Sequence, residues 1–427
     1  MHNPSELLKT VSLDSYAKNN IVDYQTVTSI PQTNIDYLNS GLAVISAQNA
    51  FKDCKKLVSF PDFKFDMSKC TDMFFMFYNC TSLVDLDVSN WDISNVSGNG
   101  IQGIFNNCNS LTKIDVSNWN TSKITDMRSV FSQCKSVANL NVDNWNISNV
   151  TDMAYMFEKC ESLTSLNLIK WDTSNTVSMY GLFRYCKGLT TLNLDNFNTA
   201  KVNSLSSMFL GCSSLSSLNV DSFDTSNVTN MFFMFCFCSS LSSLNVSHFN
   251  TSKVTNMYGM FNNCSSLTSL DVSNFNTSNV TDMGGVFCYC SSLKTLDVSK
   301  WDTSKVTSMK EMFQNCTSLA TLDVSNWDVS SVTNMSDMFY NCLSLISINI
   351  SNWNTSKVTT MNSMFSYSSF TTTIIGTIDM SSCTDCKYMF IDCDNLKGVH
   401  LKNVPRSLDM SKIGGTEGVT YIIDNYI

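Results

Sequence analysis

The sequence predicts an α/β solenoid of about 13 coils, with a parallel β-sheet on one side and short helices on the other. Three observations carry this reading. Ten cysteines (Cys108, Cys134, Cys160, Cys186, Cys212, Cys238, Cys264, Cys290, Cys316 and Cys342) stand on one strict 26-residue comb. In "LTSLDVS" (Leu267 to Ser273), Leu270 and Val272 alternate with small polar residues, which is a strand period. In "TDMGGVFCYC" (Thr281 to Cys290), Met283, Val286, Phe287 and Cys290 fall at i, i+3, i+4 and i+7, the spacing of one helix face.

Taken in order, residues 1–50 break the repeat and are expected to form an N-terminal cap over the open sheet edge. Residues 51–404 are the solenoid proper. Cys54 and Cys80 are also 26 apart, and a two-residue insertion at "VSGNG" (Val96 to Gly100) separates them from the comb. Within a coil, "NFNTSN" (Asn274 to Asn279) follows the strand and is turn chemistry, because Asn, Ser and Thr side chains satisfy nearby backbone groups. Thr281 or Asp282 is placed to cap the N–H groups of the following helix. A strand, a turn and a short helix cannot bury their faces alone, so neighbours must stack. At ~4.8 Å per coil the stack is a rod or arc roughly 60 Å long. After Cys342 the tooth of the comb is Ser368, and Cys393 arrives one residue early. Residues 405–427, beginning at Pro405, are expected to form a C-terminal cap; "[FIL]DMS" at Phe65, Ile378 and Leu408 marks specialised terminal coils.

Two columns speak for in-register stacking. Trp91, Trp119, Trp145, Trp171, Trp301, Trp327 and Trp353 share one repeat position, and Phe197, Phe223, Phe249 and Phe275 fill it in the middle coils. Lys201, Lys253, Lys305 and Lys357 share another, with Asn227, Asn279 and Ser331 in the coils between. Lysines on adjacent coils would repel by ~1 kcal/mol even when well solvated, and alternation removes that cost. Duplication of a two-coil unit would leave the same pattern.

Composition excludes several classes. The net charge is −9, and nucleic-acid binding needs clustered Lys and Arg. No run approaches the 18 apolar residues of a spanning helix, so membrane insertion is not expected. The start, "MHNPSELLKTVSLDSYAKNN", lacks the basic and apolar regions of a secretory signal, which leaves a cytoplasmic location as the alternative to an exposed one.

The 18 cysteines invite a disulfide or metal reading. Equal spacing gives each interior Cys two equivalent neighbours, so buried free thiols acting as small apolar groups are expected. Cys383, Cys386 and Cys393 have the spacing of a possible zinc site, yet in register they fall on core positions. The extra thiols of Cys236/Cys238 and Cys288/Cys290 lie two coils apart, ~10 Å in the stack, too far for one site. The methionines (Met231, Met234, Met257, Met260, Met309, Met312) read as core filler. The recurring Asp271, Asp297, Asp302, Asp323 and Asp328 lack the Gly-rich turns of a calcium solenoid and read as solvated surface. His2, His248 and His400 sit in no partnered motif, and no nucleophile elbow, phosphate loop or zinc-protease motif is present. No catalytic residue, cofactor or metal is therefore expected. Sequons such as "NTS" (Asn250 to Ser252) and "NVT" (Asn279 to Thr281) follow from the turn composition.

"MFNNCSSLTSLDVSNFNTSNVTDM" (Met260 to Met283) resembles the 26-residue repeat of BspA-like leucine-rich-repeat surface proteins, over roughly residues 51 to 400. The resemblance implies a leucine-rich-repeat-type solenoid, a cell-surface or secreted location, and adhesion or matrix binding.

The leading functional expectation is a non-enzymatic binding module. Its candidate face is the row Ser165, Thr191, Ser217, Ser243, Ser269, Thr295 and Thr321 with the carboxylates Asp271, Asp297 and Asp323. A uniform polar strip suits weak multivalent contact with a protein or glycan ligand, where avidity supplies strength. That strip lacks the clustered Trp, Tyr and Arg that usually anchor a tight protein interface. The alternative is a structural scaffold or spacer subunit, intracellular or in a surface layer; capped ends argue for a monomer. A third reading is ice binding by the row Thr225, Thr251, Thr277 and Thr303.

Overall fold

The computed structural model describes residues 43–59, 65–372, 374–415 and 419–427, with the backbone of Thr10–Ser12. The chain divides into two compact units, residues 1–202 with 211–215, and residues 203–210 with 216–427.

One coil of the second unit shows how the sequence closes into a circuit. The N–H groups of Met283, Gly285, Phe287 and Tyr289 donate to the carbonyls of Ser308, Lys310, Met312 and Gln314 on the following coil, at 2.7 to 3.1 Å. The alternate N–H groups of Val286, Cys288 and Cys290 turn back to Met283, Gly285 and Phe287 of their own coil. Gly285 and Tyr289 have φ of +59° and +58°. The segment is therefore a run of tight turns, each second one with a left-handed residue. Among the described residues there is no α-helix, and one short 3₁₀ helix lies at Met410–Lys412. The expected helices are thus corrected to stacked turns. A left-handed residue every fourth position cannot sit in an α-helix. The turns still point Met283, Val286, Phe287 and Cys290 inward, all fully buried or nearly so. They also send every second N–H across the coil boundary, where a helix would keep all of them to itself.

The opposite side of the coil is extended as expected. Leu270 and Val272 are buried, while Ser269 and Asp271 are exposed. Pairing there is sparse: parallel bridges join Ser269 to Thr295 and Thr295 to Thr321, and Lys294 N–H reaches the Thr268 carbonyl at 3.3 Å. The inter-coil hydrogen bonding is concentrated in the turn wall, not in the expected sheet.

The first unit is built the same way. Met153, Tyr155, Phe157 and Lys159 donate to Ser178, Tyr180, Leu182 and Arg184. Its strands pair in parallel, β1 (Thr10–Ser12) with β2 (Ala43–Ser46) and β3 (Asp85–Leu86) with β4 (Lys113–Ile114). Most of the expected N-terminal cap lies outside the described residues, and the turn wall already includes Ala47, Asn49, Phe51 and Asp53. In the second unit the chain ends on a three-stranded parallel sheet of β5 (Thr377–Asp379), β6 (Gly398–Lys402) and β7 (Thr420–Ile423).

Side-chain columns fill each core. The Trp and Phe residues of the predicted column are buried in both units. Trp119 stacks on Trp145 with centroids 6.0 Å apart, and Trp327 on Trp353 at 6.5 Å. The indole N–H groups of Trp119, Trp145, Trp171, Trp301, Trp327 and Trp353 each find a carbonyl on the preceding coil, as Trp301 Nε1 does with Val272 at 3.2 Å. In the Phe249 coil the neighbouring His248 Nε2 meets the equivalent carbonyl, Val220, at 3.0 Å. A second column, Phe235, Phe261, Phe287, Phe313 and Phe339, stacks with centroids 5.6 to 5.8 Å apart. Thr225, Thr251, Thr277 and Thr303 are buried, and their hydroxyls donate to Asn250, Asn276, Asp302 and Asp328 carbonyls on the next coil. An inward row cannot face ice, so that reading is overturned.

A candidate binding groove

The polar face of the second unit begins with a three-residue device, D-x-S. Asp271 Oδ1 accepts from Ser273 N at 3.1 Å and from Ser273 Oγ at 2.7 Å. Asp297 with Ser299 and Asp323 with Ser325 repeat it. A side chain that satisfies a backbone N–H two residues on closes the turn leading to the aromatic column. These hydrogen bonds, first from the Ser hydroxyl and then from its N–H, hold each carboxyl below its ordinary range although it is almost fully solvated. Asn219 and Asn245 take the same role in the coils before, accepting from Asp221 N and Ser247 N.

Between this row and the Ser/Thr row lies a groove of about 800 Å³, lined over five coils by Ser217, Ser243, Ser269, Thr295 and Thr321. Its floor is Leu218, Leu244, Leu270 and Leu296, each 7 or 8% exposed. Asp221, Asp271 and Asp297 are its charged side chains, and no Lys or Arg lines it.

Of the residues expected on the binding face, Ser217, Ser243, Ser269, Asp271, Thr295, Asp297 and Thr321 are thus brought together. Thr321 and Asp297 also line a smaller depression with Asp323. In the first unit Ser165 joins Ile114, Leu140 and Asn167 around a groove of about 500 Å³, while Thr191 is exposed outside it.

Other constellations came only with the fold. Phe232, Phe233 and Tyr258 form a half-buried cluster on the turn wall, with centroids 4.2 to 5.7 Å apart. A Cβ on Gly259 would lie 2.2 Å from the Phe233 ring, and one on Gly284 2.8 Å from the Tyr258 ring, so each ring rests on a glycine of the next coil. His400 has partners that the sequence did not suggest: its Nε2 meets Asp424 Oδ1 at 2.6 Å and its Nδ1 meets Thr377 Oγ1 at 3.1 Å. The group lies on an exposed sheet face, and its carboxylate is half solvated.

All 18 cysteines are free and buried. Among the described residues no three His, Cys, Asp or Glu side chains converge closely enough to hold a metal ion. The comb thiols are pushed up by desolvation, Cys290 and Cys342 to about 12. The extra thiol of Cys288 donates to Gln314 Oε1 at 3.2 Å. The alternating lysines make a contact as well as avoiding one another. Lys305 Nζ donates to Asn279 Oδ1 at 2.7 Å, and Asn279 Nδ2 donates to the Ser252 carbonyl at 2.9 Å, so the amide holds the ammonium and the coil behind it.

Stacked 26-residue circuits, leucine columns and an open groove define the class: a leucine-rich tandem-repeat solenoid. The chain belongs to the family described as "Mycoplasma protein of unknown function, DUF285", which matches residues 24–113, 45–166, 99–217, 178–296, 204–321 and 290–404. Comparison with curated proteins returned no match. Among solved structures, the chain is similar to a leucine-rich repeat protein from Eubacterium ventriosum (15% identity, 77% of this chain, 80% of that one, TM-score 0.34). It is also similar to a leucine rich cell surface protein from Faecalibacterium prausnitzii (16% identity, 90% of this chain, 84% of that one, TM-score 0.35). A third similarity is to TLR13 in its complex with ssRNA13 (16% identity, 95% of this chain, TM-score 0.28), of which this chain spans 60%. No helix among the described residues is long and apolar enough to cross a membrane.

Proposed function

We propose that this chain is a non-enzymatic binding module of BspA-like type, acting at a cell surface or as a secreted protein. The terminal segments 1–50 and 405–427 serve it as caps. The observation that supports this reading is the second unit's groove, which offers a hydroxyl on each of five successive coils and, on four of them, an oriented Asn or Asp acceptor and a Leu floor. Reaction chemistry needs dissimilar groups converging on one point. Repetition instead suits a protein or glycan ligand that is itself extended, with each coil adding a small similar contribution.

Deletion of residues 265–316 removes two full repeats and keeps the 26-residue register. Probed against arrays of surface proteins and glycans, the shortened chain should fold and bind the same partner with gradually lower affinity. Partner binding confined to residues 1–50 or 405–427 would instead make the solenoid a spacer.

A further inference from the structure

We propose that the groove of the second unit holds a linear, neutral, β-1,4-linked glycan laid along the coil stack, one pyranose per coil. This rests on the binding reading above and names its ligand class. The first argument is spacing. Parallel bridges hold Ser269, Thr295 and Thr321 in register, so the hydroxyls they present recur at the strand spacing of ~4.8 Å. A ligand that meets every coil must advance by about that interval per unit. An extended β-1,4-linked pyranose chain advances by nearly that distance per sugar; alternate sugars are turned over, and hydroxyls on both ring edges let either orientation meet a Ser or Thr. An extended peptide presents side chains to one face every ~6.7 Å and is out of step after the first coil. An α-1,4-linked glycan curls away from a straight row.

The second argument is chemistry. Sugar hydroxyls donate and accept, and the groove supplies Ser and Thr hydroxyls that do both. Asp271 and Asp297 each spend Oδ1 on the serine two residues on, which fixes the carboxylate and leaves Oδ2 to accept from a sugar hydroxyl. Groups oriented before binding lose less freedom on complex formation. The slightly open strip of Leu244, Leu270 and Leu296 gives the apolar C–H face of a pyranose a surface to lie against. With carboxylates and no Lys or Arg in the lining, the groove repels polyanions, which excludes uronate chains and nucleic acid.

The experiment is calorimetric titration of the whole chain with cello- and chito-oligosaccharides of increasing length, and with maltohexaose. The β-linked series should gain affinity with each added sugar up to the five coils of the groove, then level off. Maltohexaose should bind at least about tenfold more weakly. The exposed pair Ser269→Arg and Thr295→Arg should abolish β-glycan binding with the melting curve unchanged. The milder pair Asp271→Asn and Asp297→Asn keeps the turn acceptor and should weaken binding severalfold. Equal affinity for maltohexaose, affinity independent of length, or no binding of either β-linked series would overturn the glycan assignment. In that event the arginine pair separates the two ideas. Loss of an array-identified protein partner in that variant keeps the groove as a binding face, whereas a partner held undiminished removes the groove reading too.

Discussion

The thiol of Cys264 donates to the backbone carbonyl of Phe235, 3.2 Å away on the preceding coil. The same bond recurs along the comb, for example from Cys290 to Phe261 and from Cys342 to Phe313. Where the comb has Ser368, the hydroxyl reaches the Phe339 carbonyl at 2.5 Å. The comb position thus calls for a small donor as well as a small apolar group. Cys264→Ala should destabilise by about 0.5–1.5 kcal/mol, because it removes one of two donors from the Phe235 carbonyl, which keeps the Cys238 N–H. Cys264→Ser should cost less. Equal losses by denaturant titration would mean that volume alone is at work.

The buried thiols make a prediction about alkaline pH. Desolvation raises Cys290 and Cys342 from an ordinary value of 9.0 to about 12 in the folded chain. Between those values the unfolded chain gives up protons that the folded chain keeps, so stability falls as pH rises. The contribution is complete below pH 9 and lost on the way to about 12. Melting temperature under reducing conditions should be level to about pH 9 and then decline. A level curve to about pH 11, or native labelling of most of the 18 thiols by an aromatic disulfide reagent, would show that solvent reaches the comb.

Trp301 lies flat against Phe275, with centroids 6.3 Å apart and ring planes 2° from parallel. Truncation to Ala should cost about 3–5 kcal/mol, read as a local loss of protection around its coil by hydrogen exchange. Trp301→Phe should cost far less, since Phe275 and Phe249 already fill the column, and its residual cost reports the lost bond to Val272. Unchanged exchange in the Ala variant would place the ring outside the core.

Gly259 and Phe233 form a tighter pair. Gly259 has φ +60° and lies under the Phe233 ring, so Gly259→Ala is penalised twice, by backbone strain and by the clash. A loss of about 1–3 kcal/mol is expected. Phe233→Ala in the same chain should recover the clash but not the strain. A double-mutant cycle with no coupling would show that the ring moves aside freely.

Much of this protein was readable before any coordinates. A 26-residue period, repeated over the cysteine comb and the Trp/Phe column, determined that coils stack in register and which side chains go inside. Alternation at Leu270 and Val272 determined that Ser269, Asp271 and their equivalents face outward. Burial of this kind is written into each repeat, because apolar spacing along the chain is a local property. The path of the backbone was not. Met283, Val286, Phe287 and Cys290 suit a helix face and a run of turns equally, and the residues that tell them apart, Gly285 and the left-handed Tyr289, carry a weak signal. Tertiary structure chose the turns because every second N–H then has a carbonyl on the next coil. The inward rotation of Thr277, the meeting of Phe233 with Tyr258 and the pairing of His400 with Asp424 likewise depend on residues about a coil apart. Those partners become neighbours only when one coil is laid on another, so no single repeat contains the information that places them.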